Sequence, residues 1–408
     1  MKSNQPKVLF IASAFPPVVG GSAHVYASLC HELGPDAAVL AARRSYANGA
    51  ELPGWMAWDA EQPFPVYRLD FLRPQYRPRP RTIAHAACRY FFEDRVLERE
   101  VIQQAAGIAR KHKINLICLG ELYSLHNIGR QLRKELRLPV IHYIHGEEIT
   151  AVPPARRYVA GAFAALREAQ GVIAVSSFTR DQIVSRCQLP ETNIRVITNG
   201  VDITRFHPGH KTTAILDRHA LHGKKILLTV GRLERRKGQD TMIQALPRIV
   251  HEIPDAVYVV VGQGSQLEFL KQEAVRCGVA DRVIFATNVP AAELADYYRT
   301  CDVFAMPNRT MPDGDTEGFG LVFLEAGACR KPVIGGNAGG VPDAVSHGEN
   351  GVLVDGASVA SVADACVRLL RDSELARGLA EAGLRRARSS TWQNKAQEFR
   401  RLCAEVAA

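Results

Sequence analysis

The feature that most constrains the fold is a short apolar run followed by a helical pattern, which recurs along both halves of the 408-residue chain. Residues 7–13 (KVLFIAS) open the series in the first half and residues 225–230 (KILLTV) in the second. Further strands are predicted at 115–119, 139–144, 171–176, 193–197, 256–261, 282–286, 302–306, 332–335 and 352–354. Alternating strands and helices predict parallel sheets with right-handed crossovers. We therefore expect an α/β protein with two doubly wound, Rossmann-like domains facing across a cleft.

Composition limits the classes of partner. The net charge of +9 favours anionic partners such as nucleotides, acidic membrane surfaces or nucleic acid. No nucleic-acid-binding motif accompanies the charge, so nucleic acid is not expected. No apolar run is long enough to span a membrane, and the first residues lead directly into a strand, which predicts a cytoplasmic protein. The nine cysteines are scattered without a C-x-x-C pair, which favours buried thiols over disulfides or zinc ligands.

Residues 315–328 (DTEGFGLVFLEAGA) carry two carboxylates, Glu317 and Glu325, eight positions apart with a Gly-Phe-Gly turn after the first. A helix that starts near Phe319 would leave free backbone N–H groups in its first turn, at Gly320, Leu321 and Val322. Those groups and the positive end of the helix dipole suit a diphosphate. The plain structural alternative is an ordinary helix start with acidic residues on either side.

Three other segments place polar or glycine residues after a predicted strand. Gly20 and Gly21 stand at the start of the first helix, where a ligand phosphate or sugar could approach the backbone closely. His145 follows residues 139–144, the position where doubly wound folds hold ligand-binding groups. Arg232 and Lys237 lie in the loop GRLERRKGQD and could both reach one diphosphate. For each segment, an ordinary turn or surface loop remains the alternative.

Together these motifs resemble family 4 of the retaining glycosyltransferases, which have the two-domain GT-B fold. In chain order they are PPVVGGSAHVYASLCHEL, HGEE, NGVD, GR with RKG, and EGFGLVFLEA. The resemblance covers essentially the whole chain. It implies a hexosyltransferase of polysaccharide or glycolipid biosynthesis, which moves a sugar from a nucleoside-diphosphate sugar to a hydroxyl group of a glycan or glycolipid acceptor.

The resemblance also implies roles for the residues of the second half. Glu325 would bind the ribose hydroxyls, Arg232 and Lys237 the diphosphate, and Glu317 hydroxyls of the donor sugar. Because no protein nucleophile is evident, retention would proceed by a same-face substitution in which the leaving phosphate assists deprotonation of the acceptor. Fixed cations would stabilise the negative charge that the leaving nucleotide gains.

By the same resemblance, residues 198–208 (TNGVDITRFHP) link the two domains. The N-terminal, acceptor-side domain would comprise residues 1–208, and residues 209–391 would form the domain that binds the nucleotide sugar. A break at residues 389–392 suggests that the helix 392–408 returns to the first domain. His145 and Gly21 would contribute from the first domain when the cleft closes.

Two motifs could indicate a metal site or a dinucleotide site, and in each case the neighbouring residues argue against that interpretation. Asp313 and Asp315 form a D-x-D pair, but Arg232 and Lys237 already supply positive charge there, so we predict no essential metal and no cofactor. The segment VVVGQGS suggests a dinucleotide site, but Leu267 occupies the position of the third glycine, which disfavours a dehydrogenase.

Residues 73–81 (RPQYRPRPR) and the aromatic helical stretch up to residue 101 are basic and amphipathic. They could contact an anionic membrane, which would place the protein on the inner face of the cytoplasmic membrane. A solvated loop with a core-facing helix is the alternative. Two other function classes also stay open: a nucleotide-sugar epimerase or phosphorylase of the same fold, and a non-catalytic module that binds nucleotide sugars. The sequence does not specify the donor base, the sugar or the acceptor.

Overall fold

A computed structural model describes residues 5–74, 82, 88–151 and 156–407 of the chain. Two compact units emerge. The first comprises residues 1–175, 179–197 and 392–408, and the second comprises residues 176–178 and 198–391. The segment 198–208 therefore groups with the second unit.

Within the described residues, the first unit contains one parallel sheet of seven strands in the order β3-β2-β1-β4-β5-β6-β7. The strands are β1 (Val8–Ala12), β2 (Ala37–Ala42), β3 (Val66–Leu69), β4 (Leu116–Leu119), β5 (Val140–Ile144), β6 (Gly171–Ala174) and β7 (Ile194–Val196). The chain winds outward in one direction from β1 and in the other from β4. The loops that follow these two strands therefore meet at a topological switch point, where α/β sheets bind ligands.

The described parts of residues 1–197 and 392–408 also contain the α-helices of this unit. They are Gly21–Leu33, Trp55–Ala60, Arg95–His112, Leu122–Leu136, Glu147–Thr150, Arg156–Glu168, Ser177–Cys187 and Trp392–Ala407. The last of them packs on the first: Phe399 stacks on Phe10 of β1 with ring centroids 5.5 Å apart, and Arg400 donates a hydrogen bond to the carbonyl oxygen of Glu32. The C-terminal helix is thus an integral part of the first unit.

Strands β2 and β3 are not among the sequence predictions. The sequence of β2 is AAVLAA, and all of its residues are buried. Alanine has a low strand propensity, and a strand buried on both faces shows no alternation. β3 lies at the edge of the sheet and its residues are half-buried, so it too lacks an apolar pattern.

The helix Arg95–His112 turns a fully buried face to the core in its later turns. Its buried face begins at Val101 and continues through Ile102, Ala105 and Ile108. Phe92 and Val96, by contrast, are 73% and 55% exposed. Leu97, which is half-buried, already packs against the same core. The core-facing alternative therefore holds for Leu97 and from Val101 onward, but not for Phe92 and Val96.

The second unit, within the described residues, contains a parallel sheet of six strands in the order β10-β9-β8-β11-β12-β13. The strands are β8 (Lys225–Val230), β9 (Ala256–Val261), β10 (Val283–Ala286), β11 (Val303–Met306), β12 (Val333–Gly336) and β13 (Val352–Val354). Its α-helices are Thr213–Arg218, Gln239–Glu252, Leu267–Arg276, Leu294–Thr300, Leu321–Ala328, Val341–Ala344, Val359–Arg371 and Ser373–Ser389. The switch point of this sheet lies between β8 and β11.

All nine cysteines lie within the described residues and are free thiols. Seven of them are buried, so the expectation of buried thiols is confirmed for most of the set. In the part of the chain that the structure describes, no helix is both long enough and apolar enough to cross a membrane.

Candidate active site

The loop after β8 concentrates positive charge at the switch point of the second sheet. A single 3-10 turn, Arg235–Lys237, leads into the helix Gln239–Glu252. The side chain of Lys237 is 12% exposed, whereas that of Arg232 is 62% exposed and pairs with Glu234 at 2.8 Å. Both residues that the sequence predicts to hold a diphosphate therefore lie just ahead of a helix N-terminus, with Arg232 facing solvent.

Glu317 follows β11, the neighbouring strand, and forms an ion pair with Lys237. Its Oε2 also accepts a hydrogen bond from Asn308 Nδ2 at 3.2 Å. Burial alone would raise the pKa of the Glu317 carboxyl, but the charge of Lys237, followed by those of Arg236 and Arg232, lowers it further than burial raises it. Glu317 is therefore an ionised, recessed hydrogen-bond acceptor.

Glu325 lies in the second turn of the helix Leu321–Ala328. Its Oε2 accepts a hydrogen bond of 2.6 Å from the hydroxyl of Tyr298, a fully buried residue. Burial raises the pKa of Glu325, and the Tyr298 hydrogen bond and the charge of Arg205 offset only part of that rise. Tyr298 uses one carboxylate oxygen, and no described residue donates a hydrogen bond to the other.

The helix Leu321–Ala328 begins at Gly320, which has a φ of 94°. A Cβ there would lie 2.6 Å from the ring of Phe323, so both the backbone conformation and the space favour glycine. The first N–H groups of any helix lack intrahelical acceptors. Gly320, Leu321 and Val322 accordingly present backbone donors between Glu317 and Glu325, together with the positive end of the helix dipole.

Close backbone packing fixes the shape of the basic loop. Gly238 has a φ of 74°, and a Cβ there would lie 2.1 Å from the carbonyl oxygen of Pro307. Cβ atoms at Gly262 and Gly264 would lie within 2.0 and 2.4 Å of the carbonyl oxygens of Gly231 and Leu233. The Gly-x-Gly motif after β9 thus supports the basic loop, which accounts for it without a dinucleotide site.

In the first unit, His145 follows β5 and lies beside Tyr26. Its Nε2 is 2.8 Å from the Tyr26 hydroxyl, which is also hydrogen-bonded to the carbonyl oxygen of Gly120. The backbone N–H of His145 donates to Oε2 of Glu148 at 3.1 Å. Burial lowers the pKa of His145 to about 3 and raises the pKa of Glu148 to about 7. His145 is thus neutral at physiological pH.

The opening loop occupies the switch point of the first sheet, between β1 and β4. Glu121, which follows β4, accepts hydrogen bonds from Ser13 Oγ at 2.8 Å and from the backbone N–H of Ala14 at 2.9 Å. Gly20 is the N-cap of the helix Gly21–Leu33, and a Cβ at Gly20 or Gly21 would meet nothing within 4 Å. The space beside these two glycines is therefore open to a ligand.

Models of two protein families match this chain. The family model described as "Glycosyl transferases group 1" matches residues 212–386, and the model described as "Glycosyltransferase Family 4" matches residues 60–205. A GDP-mannose-dependent alpha-(1-6)-phosphatidylinositol monomannoside mannosyltransferase of Mycobacterium tuberculosis (strain CDC 1551 / Oshkosh) is 33% identical over 382 residues, which are 92% of each chain. This chain belongs to the family 4, group 1 glycosyltransferases. It is a nucleotide-sugar glycosyltransferase.

Two further comparisons support the family and its fold. A D-inositol 3-phosphate glycosyltransferase of Corynebacterium jeikeium (strain K411) is 34% identical over 223 residues, 52% of each chain. The crystal structure of Anabaena HepE in complex with UDP and glucose matches with a TM-score of 0.76 at 21% identity, over 97% of this chain and 98% of that one. The predicted GT-B fold, with its two parallel-sheet α/β domains, is confirmed.

Within this glycosyltransferase, several contacts in or beside the candidate site were not foreseen. They involve Tyr26, Glu121, Tyr298, Asn308 and Arg236. Glu121 and Asn308 carry a usable signal, because each lies two residues after a predicted strand. The others lie on helices or loops, and their partners are distant in the sequence.

The D-x-D pair of this glycosyltransferase is held by protein groups. Arg236 donates to both carboxylate oxygens of Asp315, at 2.9 and 3.0 Å, and Asp313 accepts from the backbone N–H of Asp315. Within the described residues, no group of three or more His, Cys, Asp or Glu side chains could hold a metal ion. Independence of a metal remains a prediction.

Proposed function

We propose that this glycosyltransferase moves a mannosyl group from GDP-mannose to a hydroxyl group of an inositol-containing glycolipid, with retention of the anomeric configuration and without an essential metal. The donor and acceptor classes are supported by the activity for which the M. tuberculosis relative is named, and the alignment with that relative spans 92% of both chains. The family match supports a transferase over an epimerase, a phosphorylase or a non-catalytic module.

One observation carries the proposal: Lys237 and Glu317 form an ion pair next to the N-terminus of the helix that bears Glu325. Lys237 and Arg232 would bind the diphosphate together with the N–H groups of Gly320, Leu321 and Val322. Glu325 would accept hydrogen bonds from the ribose hydroxyls through its remaining oxygen, and Glu317 from hydroxyls of the sugar. Each group meets the charge or hydrogen-bonding pattern of one part of a nucleoside-diphosphate sugar.

The reaction breaks the bond between C1 of the sugar and the diphosphate oxygen, whose electron pair leaves with the nucleotide. The acceptor oxygen forms the new bond to C1 on the same face, and its proton passes to the leaving phosphate. Lys237 and Arg232 would stabilise the charge that develops on the diphosphate. The products are the mannosylated acceptor and GDP.

The donor half is tested by thermal shift with GDP-, UDP- and ADP-sugars in the presence of EDTA. A ligand at 100 times its dissociation constant stabilises the folded chain by roughly 2.7 kcal/mol, which a thermal shift resolves. We expect GDP-mannose to raise Tm for the wild type but not for Lys237→Ala or Glu325→Ala. Arg235→Ala is the matched control, because Arg235 lies exposed in the same turn and pairs with none of these carboxylates. A shift with UDP-sugars alone would reject GDP-mannose.

The acceptor and the stereochemistry are tested by transfer. Purified protein, GDP-mannose and phosphatidylinositol monomannoside are incubated with EDTA, and the anomeric proton of the product is assigned by NMR. An α-linked product would support retention, since the mannosyl group of GDP-mannose is itself α-linked. A β-linked product would reject it, and transfer only after a divalent ion is added would reject metal independence.

The opening loop offers a separate test of ligand contact. Gly21→Ala adds a methyl group into open space in a backbone conformation that alanine adopts. We expect an unchanged Tm but a raised KM for GDP-mannose, because the methyl group would obstruct a ligand that approaches the backbone. An unchanged KM would show that Gly21 serves only the turn.

Peripheral contact with an anionic membrane, on the inner face of the cytoplasmic membrane, also belongs to this proposal. The exposed large apolar side chains of the first unit, within its described residues, are Val19, Tyr46, Met56, Phe91, Phe92 and Val96. Val19 and Tyr46 follow the carboxyl ends of β1 and β2. The ring of Trp58, near Met56, packs edge-on against Phe15 in the loop after β1. The remaining three precede or begin the helix that leads back to the start of β4. These apolar residues therefore lie at the end of the sheet where its strands finish, and they could insert into lipid there.

Sedimentation with vesicles tests this contact. We expect binding to vesicles that contain anionic lipid, weaker binding to vesicles of neutral lipid, and loss of binding in the double variant Phe92→Ser, Val96→Ser. The control variant is Phe269→Ser, Val275→Ser, which removes two exposed apolar side chains from the second unit. Equal failure of the wild type with both vesicle types would remove the membrane from the proposal. The segments 75–81 and 83–87, on which the basic-run hypothesis rests, lie outside the described residues.

A further inference from the structure

A buried hydrogen-bonded chain in the first unit ends at His145. The hydroxyl of Tyr26 lies 2.8 Å from Nε2 of His145 and also contacts the carbonyl oxygen of Gly120. Tyr26 is fully buried within the helix Gly21–Leu33. Gly120 makes room for it, because a Cβ at position 120 would lie 2.7 Å from the Tyr26 ring.

The direction of these two hydrogen bonds follows from elementary chemistry. A carbonyl oxygen only accepts, so the single hydroxyl proton of Tyr26 is donated to Gly120. The Tyr26 oxygen must then accept from His145, and Nε2 of the imidazole must carry its proton. In a neutral imidazole, Nδ1 is in that case an unprotonated acceptor. No described residue forms a hydrogen bond with Nδ1.

We propose that Tyr26 is a positioning residue for the transfer reaction: it fixes the Nε2–H tautomer of His145, so that Nδ1 accepts a hydrogen bond from a hydroxyl group of the donor sugar. This inference rests on the proposed function, and on the family resemblance by which His145 contributes to the site. It adds the residue that sets the tautomer, the ring nitrogen that meets the ligand and the direction of the hydrogen bond.

The orientation of the ring is fixed from several sides. Tyr143 stacks on the imidazole with centroids 5.1 Å apart and an interplanar angle of 23°, and Tyr26 meets it edge-on at the same distance. The carboxyl of Glu148 holds the backbone N–H of His145. A half-turn of this ring would put carbon atoms where its two nitrogens lie and would break the hydrogen bond between Nε2 and Tyr26.

The electrostatics agree with an acceptor role. Burial lowers the pKa of His145 to about 3, so the imidazole is neutral over the physiological range. A protonated imidazole has two donors and no acceptor, whereas the neutral ring with Nε2–H keeps its Nδ1 lone pair. His145 is therefore suited to accept from a sugar hydroxyl and not to act as a general acid.

Nitrogen-15 NMR of the histidine rings of the full chain tests the tautomer directly, with His145 assigned from a His145→Asn sample. We expect a protonated Nε2 and an unprotonated Nδ1 for His145 in the wild type. In Tyr26→Phe, which removes one oxygen and keeps the ring, we expect a mixture of tautomers. A protonated Nδ1 in the wild type would overturn the proposal whether or not the protein transfers mannose.

The rate of mannosyl transfer provides a second test of the proposal. We expect kcat for mannosyl transfer to fall at least about tenfold in Tyr26→Phe, since a lost hydrogen bond of this kind has that order of effect, while affinity for free GDP is unchanged. The matched control is Tyr67→Phe, because the Tyr67 hydroxyl lies 2.8 Å from His112 Nε2 elsewhere in the same unit. That variant should keep the wild-type kcat. A Tyr26→Phe enzyme with wild-type kcat and one tautomer would overturn the proposal.

A pair of His145 variants keeps the test independent of how well Tyr26→Phe folds. The amide of asparagine lies close to the position of Nδ1 and that of glutamine close to Nε2. We expect His145→Asn to retain more transfer than His145→Gln, and the reverse order would overturn the proposal. If the wild type transfers no sugar from any nucleotide donor, the proposed function fails, and the NMR result alone decides between the tautomers.

Discussion

The carboxyl group of Glu148 is hydrogen-bonded to the backbone of the loop that carries His145. Its Oε2 accepts from the His145 backbone N–H, and Gly146, with a φ of 109°, lets the chain turn between them. Such a turn needs glycine, because other residues adopt this φ only with strain. Two neighbouring carboxylates, Glu147 and Glu121, add to the effect of burial on the Glu148 pKa. The stability of this loop should therefore depend on pH.

The sign of that dependence follows from linkage. The Glu148 pKa is about 7 in the folded chain and about 4.3 in an unfolded chain. The folded state therefore holds the proton more tightly, and this contribution to stability is present below the lower pKa and lost as pH rises through 7. We expect Tm of the wild type, relative to Glu148→Gln, to fall between pH 5 and pH 8. Glu147→Gln controls for removal of one charge, and an equal Tm difference at both pH values would contradict the prediction.

The contribution of the Lys237–Glu317 ion pair to stability can be measured with a double-mutant cycle. Both side chains are nearly buried, at 12% and 13% exposed, so removing one leaves the other charge without its ion-pair partner. We expect Lys237→Met to lower the free energy of unfolding by about 3 kcal/mol, and the double variant Lys237→Met, Glu317→Gln to recover most of it. Calorimetry of the four proteins of this cycle measures both effects. Additive losses would show that the pair does not couple.

At the scale of single residues, sequence reasoning found the charged groups but not their partners. Glu317, Glu325 and His145 could be predicted because each stands next to a strand or helix end whose local pattern is clear. Tyr298 and Tyr26 could not, since each meets its partner through the folding of distant segments and each also fits a helix core. Contacts of this kind follow from tertiary packing, which local pattern does not encode.

At the scale of elements, glycines with positive φ set the shape of the site loops. Gly238 and Gly223 have φ values of 74° and 73°, but a Cβ would meet Pro307 only at Gly238 and nothing at Gly223. We expect backbone strain to lower the free energy of unfolding by about 1 kcal/mol in both alanine variants. Only Gly238→Ala should also bind GDP at least about tenfold more weakly. Thermal unfolding and nucleotide titration measure the two effects. Equal GDP affinity in both variants would show that the contact with Pro307 does not shape the basic loop.

Elements with a strong apolar pattern were predictable, and those that rely on context were not. β8 (KILLTV) and β9 (AVYVVV) are runs that only a buried strand explains well. β2, a run rich in alanine, becomes a strand because β1 and β3 flank it. Tertiary pairing there overrides the weak local preference.

At the scale of the whole molecule, the C-terminal helix completes the packing of the first unit. Phe399 is fully buried against Phe10. We expect Phe399→Ala to lower the free energy of unfolding by about 3–5 kcal/mol, the usual range for a buried aromatic. GDP affinity should be unchanged, because the residues proposed to bind the nucleotide belong to the other unit. Phe269→Ala, an exposed aromatic, is the control. A loss of GDP affinity that matches the loss of stability would contradict this separation.

The same arrangement orders events during synthesis. Almost all of the second unit is one continuous stretch, residues 198–391, whereas the first unit needs both ends of the chain. Domains usually fold as they leave the ribosome, starting from the N-terminus. Here the N-terminal unit emerges first but is completed last, because Phe10 meets Phe399 only after nearly four hundred residues have been made. Until then its helix Gly21–Leu33, which carries Tyr26, lacks the neighbour against which it packs.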